Sequence, residues 1–148
     1  MNIKGGCLCG AVRFEVEASV LGIYQCHCSE CRKVTGSAAN SSCLVPQDHF
    51  TWLSGREEIR SYVHSSGYRS DFCGKCGSPT PNEFKDKPYY WVPAGALENT
   101  SLPSVKAHIC IASKADWEHS PEVGVRYAEV PSLSDLLEVL GEASKAKI

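Results

Sequence analysis

Gly6-Cys7-Leu8-Cys9-Gly10-Ala11-Val12-Arg13-Phe14-Glu15-Val16 decides how this chain is read. Two cysteines one residue apart can point both sulfurs at one metal ion. The glycine behind them lets the backbone turn tightly and aim amide N–H groups at sulfur. Past the turn the pattern becomes strict alternation, with Val12, Phe14 and Val16 on one face and Arg13 and Glu15 on the other. That is the period of a half-buried β-strand. A metal knuckle that runs straight into a strand predicts a β-rich fold in which strands carry metal ligands.

Working outward, two more clusters repeat the theme: Cys26-His27-Cys28-Ser29-Glu30-Cys31 and Cys73-Gly74-Lys75-Cys76-Gly77. Of the 9 cysteines, only Cys43 and Cys110 lie outside the three clusters, in apolar stretches that read as core. Four clustered thiols make a closed zinc site, and three make a site with an open position for water or substrate. Disulfides fit poorly, because bridged cysteines need Cα separations that Cys-x-Cys does not offer. A redox dithiol at Cys73-Gly74-Lys75-Cys76 would open a helix, whereas Gly77-Ser78-Pro79 is turn chemistry.

Cys7, Cys9, Cys73 and Cys76 form two bidentate knuckles, each followed by glycine, and together complete a four-cysteine site. Cys26, Cys28 and Cys31 then remain as three ligands from one short segment. Spacing alone also permits Cys73 and Cys76 to pair with the second cluster. His27 is a candidate fourth ligand to the three-cysteine site, but it sits between two ligands, and alternation along an extended backbone turns it away from them, to support the ligand loop or to face substrate. Arg32 and Lys33 follow the third ligand at once. They offset the negative charge of a three-thiolate zinc site, bind a substrate carboxylate, or form a solvated basic pair. Zinc held by three thiolates suits another soft sulfur and lowers a thiol's pKa, so the chemistry expected here is thiol chemistry.

The 148 residues are expected to form a single zinc-binding domain, residues 1–148. A net charge of −2, from 15 basic and 17 acidic residues, gives no electrostatic reason to expect nucleic acid. No apolar run is long enough to span a bilayer, and Met1-Asn2-Ile3-Lys4 does not open a secretory signal. The reduced thiols then place the protein in the cytoplasm. Strands are expected over 11–16, 23–25, 39–45, 59–63, 68–72, 89–92 and 108–112, with a hairpin turn at Ser65-Ser66-Gly67. Helix signals are few: a short turn over 29–34, and Leu133, Leu136, Leu137 and Leu140 at helical spacing behind Ser132 or Ser134 and before Gly141. Residues 143–148 read as a frayed end.

The chain resembles the glutathione-dependent formaldehyde-activating enzymes and their relatives, which include centromere protein V. The resemblance runs from about Gly5 to about Trp117. It is carried by Gly6 to Phe14, Cys26-His27-Cys28-Ser29-Glu30-Cys31-Arg32-Lys33, Gly36-Ser37, Phe72 to Pro79 and Ala94-Gly95-Ala96-Leu97. It implies a mainly β, tent-like fold of small antiparallel sheets around a four-cysteine zinc site, similar to that of the Rab nucleotide-release chaperones, with a short C-terminal helix. By the same likeness Cys7, Cys9, Cys73 and Cys76 take a structural zinc, and Cys26, Cys28 and Cys31 take a catalytic one. Two zinc ions per chain are thus implied. Their partner would be a small-molecule thiol or thiol adduct such as glutathione. The implied activity is carbon–sulfur lyase, whose founding reaction interconverts S-(hydroxymethyl)glutathione with glutathione and formaldehyde. The chain departs from the family pattern after Ser78-Pro79, continuing Thr80-Pro81-Asn82 where relatives more often continue with an apolar strand. The competing class is a non-enzymatic zinc scaffold for a protein or nucleic-acid partner.

Overall fold

Alternation does set the first sheet. Val12, Phe14 and Val16 are 0%, 1% and 1% exposed, while Arg13 and Glu15 are only half-buried. The computed structural model describes residues 1–20, 22–84, 86–98, 102–119 and 123–141. They fall into two compact units, Met1–Val20 with Leu44–Leu102, and Leu21–Cys43 with Pro103–Ile148. The expected frayed end, 143–148, lies outside the described residues. Among the described residues, no helix is long and apolar enough to cross a membrane.

In the first unit, β1 (Asn2–Gly6) and β5 (Phe50–Ser54) flank β2 (Arg13–Glu17), all antiparallel. The strand expected from residue 11 begins at Arg13, because residues 10–12 form the knuckle's return turn. Phe14 stacks on Phe50 at 5.5 Å, and Phe50 on Tyr90 at 4.1 Å, which gives this unit an aromatic centre. A hairpin of β6 (Ile59–Val63) and β7 (Arg69–Cys73) turns where the Ser65-Ser66-Gly67 step is expected, with His64 N–H bonded to the Tyr68 carbonyl. β8 (Asn82–Glu83) pairs antiparallel with β9 (Tyr89–Pro93), the strongly apolar strand of the sequence reading.

In the second unit, β3 (Ile23–Cys26) lies between β10 (Val105–Ile109) and the Asn40–Cys43 part of β4 (Asn40–Pro46), parallel to the first and antiparallel to the second. β11 (Val125–Arg126) adds a short parallel strand to β10. The strand expected over 108–112 is displaced toward the N-terminus. Cys110 has a left-handed backbone (φ 58°), and Ile111–Ser113 follows as a 3-10 turn, so the ladder stops at Ile109. α1 (Ser29–Thr35) and α2 (Leu133–Leu140) complete the unit. The Ser132 hydroxyl accepts the Asp135 N–H, Gly141 ends α2, and Leu136, Leu137 and Leu140 are buried. The fold is mainly β, with small sheets and two helices, as the sequence implies.

Candidate metal centres

The four-cysteine cluster is assembled by two turns from distant parts of the first unit. In the loop between β1 and β2, Gly10 N–H bonds back to the Cys7 carbonyl, and Val12 N–H donates to Cys7 Sγ at 3.2 Å. After β7, Gly77 N–H returns to the Cys73 carbonyl and Lys75 N–H donates to Cys73 Sγ at 3.4 Å. Gly10 and Gly77 both have positive φ (81° and 77°), as return turns behind a knuckle require. Ser78 Oγ accepts the Leu8 N–H at 3.0 Å, tying one knuckle to the other. The sulfurs of Cys7, Cys9, Cys73 and Cys76 all lie within 4.8 Å of one another, with Cys7–Cys9 at 3.6 Å and Cys9–Cys73 at 3.9 Å. The alternative pairing of Cys73 and Cys76 with the second cluster is therefore not the one adopted.

Cys26, Cys28 and Cys31 form the second group within 4.8 Å, and among the described residues no fourth His, Cys, Asp or Glu joins it. The elements explain the grouping. Cys26 ends β3; Cys28 is the N-cap of α1, its Sγ accepting the Cys31 N–H at 3.3 Å; Cys31 lies one turn into the helix. Three sulfurs thus converge from six residues.

These donor sets suit a dication. Cys26 is pushed up by its bond to Cys31 and then by burial, and burial raises Cys28. In the first cluster the Ala11 amide acts to lower Cys9, but the bond to Cys7, burial and the crowding of Cys76 and Cys73 carry it up to about 11. The Ser78 hydroxyl and amide hold Cys76 down to about 5. Crowded thiols resist becoming thiolates together unless a cation sits among them, and soft sulfur donors in fours and threes fit zinc.

His27 is 0% exposed, and both of its ring nitrogens are engaged. No ring atom is exposed, so the ring offers no face to a substrate. Lys33 is exposed. Arg32 is half-buried, and its Nε is a buried donor without a hydrogen-bond partner. Two neighbours carry no local sequence signal. Glu118 and His108 bond His27. Cys110 is buried, as its apolar stretch implies, and its thiol, raised chiefly by burial, lies beside that of Cys26.

Fold and sites together define a mainly β protein with one four-thiol and one three-thiol group, each able to hold a metal ion. Comparison makes the class specific. Residues 2–113 match the model of the family described as glutathione-dependent formaldehyde-activating enzyme, and this chain belongs to that family. A Halomonas elongata protein named for the same family is 29% identical over 126 residues, 79% of this chain and 80% of that one. A solved Rhodobacter sphaeroides protein is similar in fold, with a TM-score of 0.51 and 27% identity, over 65% of this chain and 88% of that one.

Proposed function

We infer that this protein is a zinc-dependent carbon–sulfur lyase acting on a thiol adduct, with S-(hydroxymethyl)glutathione as the adduct that the family's name favours. The observation that carries this reading is the unequal division of the cysteines: four gathered in one group, and three in the other with no further ligand among the described residues. Cys7, Cys9, Cys73 and Cys76 would hold a structural zinc, and Cys26, Cys28 and Cys31 a catalytic one. Zinc bound by three thiolates would lower the pKa of a substrate thiol and favour its departure as thiolate.

The chain's own residues supply the rest. Cys26, Cys28 and Cys31 bring three sulfurs together at a strand-to-helix turn. Arg32 and Lys33 follow immediately, and the exposed Lys33 ammonium is a cation suited to a carboxylate of an anionic thiol. In the forward direction the adduct's hydroxyl gives up its proton, the carbon–oxygen double bond of formaldehyde forms, and the carbon–sulfur bond breaks. The sulfur keeps the electron pair and takes up a proton on release. The reducing cytoplasm, where these thiols stay available, is the compartment that suits the reaction.

A titration of the cobalt-substituted protein tests the reading. Added glutathione should alter the sulfur-to-metal charge-transfer band, and should act at lower concentration than uncharged 2-mercaptoethanol, with salt shrinking the difference. No spectral change with either thiol would remove the lyase reading. Equal response to both would keep the thiol site and discard glutathione as its preferred partner.

A further inference from the structure

Between Cys26 and Cys28, a buried side chain is held at three points. The His27 backbone N–H bonds the Ile109 carbonyl at 3.0 Å. Its Nδ1 lies 2.9 Å from the Glu118 carboxylate, with both oxygens in reach. Its Nε2 lies 3.0 Å from His108 Nδ1. His108, 1% exposed, has its own Nε2 2.9 Å from the Val123 carbonyl. Glu118 is 91 positions from His27 in sequence, so the contact is made only by the fold.

The chemistry of the end groups orders the hydrogens along this chain. A carbonyl only accepts, so His108 Nε2 carries a hydrogen and donates to Val123. A neutral His108 then has a bare Nδ1, which accepts from His27 Nε2–H. At the other end a carboxylate also only accepts. The Glu118–His27 pair must therefore hold one hydrogen more than a carboxylate and a neutral imidazole do together. It sits on Nδ1, giving an imidazolium between the Glu118 carboxylate and the His108 ring, or on the carboxyl group. Every ring nitrogen is satisfied in either case, and burial makes each bond expensive to lose.

We propose that Glu118 and His108 are positioning residues for the three-cysteine site, acting through His27 to hold the Cys26–Cys28 turn in the shape that gathers its sulfurs. The proposal rests on the metal-binding reading of that cluster. Cys26 and Cys28 flank a residue fixed at its backbone N–H and at both ring nitrogens, so the backbone between the two sulfurs is held from its own side and from the ring. Without Glu118, a buried Nδ1 loses its partner, and the turn relaxes to let the ring reach another or to admit water.

Two variants separate this role from general loss of structure. In Glu118→Gln the amide can donate to a bare His27 Nδ1, with Nε2–H still donating to His108 and His108 still donating to Val123. Every bond survives with both imidazoles neutral. Glu118→Ala removes the bond. Cobalt titrations of the full chain should show one equivalent bound as in wild type in both variants. The second equivalent should weaken about 10–100-fold in Glu118→Ala and recover to within about 3-fold of wild type in Glu118→Gln. Wild-type affinity for both equivalents in Glu118→Ala would overturn the proposal. So would equal weakening in the two variants, which would assign the effect to charge and not to the held geometry. A wild-type protein that binds only one cobalt would instead remove the metal reading itself.

A second readout does not depend on turnover. Long-range ¹⁵N NMR of histidine-labelled, zinc-loaded protein should show a hydrogen shared between His27 and Glu118 that is absent in Glu118→Gln, while His27 Nε2–H persists. Identical histidine spectra in the two proteins would contradict the hydrogen ordering and with it the proposed clamp.

Discussion

Gly55→Ala tests how tightly the first knuckle is built. Gly55 follows β5 with φ 77°, and a Cβ there would sit 2.0 Å from the Ala11 carbonyl oxygen, 2.6 Å from its carbon and 2.8 Å from Val12 Cα. All three are backbone atoms, so no side chain can swing aside. Alanine in a left-handed conformation costs roughly 1–2 kcal/mol. Relieving the overlap means moving Ala11 and Val12 by about 1 Å, and overpacking of that kind costs roughly 1–3 kcal/mol. The Val12 amide that must move is the one that donates to Cys7 Sγ. The sum, roughly 2–5 kcal/mol, corresponds to roughly 4–20 °C in melting temperature for a chain of this size. Gly67→Ala is the control: its φ is 94°, but nothing lies within 4 Å of the added carbon. Thermal melts of the zinc-loaded proteins, followed by circular dichroism, should rank Gly55→Ala well below Gly67→Ala. Equal melting temperatures would refute the steric argument.

The remaining tests address the two thiol groups and the C-terminal helix. Cys28→Ser should leave a folded protein with one metal fewer and no lyase activity; full metal content by mass spectrometry would argue against the three-cysteine assignment. Cys76→Ser should lower the melting temperature more than Gly55→Ala, because it opens a clasp between two distant turns; a heat-stable Cys76→Ser protein would show that the clasp is not structural. A chelator should remove the metal held by Cys26, Cys28 and Cys31 before that held by the four-cysteine group, and simultaneous loss in a stopped-flow dye assay would count against the open site. Ser132→Ala should weaken α2 by about 1 kcal/mol through loss of the bond to the Asp135 N–H, seen as faster amide exchange confined to Leu136–Leu140.

The cysteine clusters were legible because knuckle spacing is a local property: residues one to three apart stay close together wherever the chain goes. The same holds for α2, whose Ser132 cap, leucine period and Gly141 stop all lie within ten residues. β1 was not legible. Its buried positions are Ile3 and Gly5, and glycine gives no hydrophobic signal even though a Cβ at Gly5 would meet the Phe14 ring at 2.5 Å. β5 alternates only weakly, with Phe50 buried and Trp52 half-buried behind the polar 3-10 turn Gln47–His49. The end of β10 was misjudged because Ile109-Cys110-Ile111 reads as strand, while Cys110 takes a left-handed backbone that no apolar pattern encodes. Glu118 was invisible for another reason: its meaning comes from a partner 91 positions away. Carboxylates are ordinarily solvent-exposed.

That separation in sequence has a consequence during synthesis. The sulfurs of Cys26, Cys28 and Cys31 emerge from the ribosome almost together, but His108 and Glu118 are added much later. At roughly 5–20 residues per second, the 91 positions between His27 and Glu118 take roughly 5–18 s to translate. Through that interval three clustered thiols are present without the clamp that shapes them, open to oxidants and to whichever soft metal arrives first. Slower translation after Lys33 would lengthen this exposure, and an early pause before it would not, so the order of the chain makes the nascent protein's metal loading sensitive to elongation rate in one direction along its message.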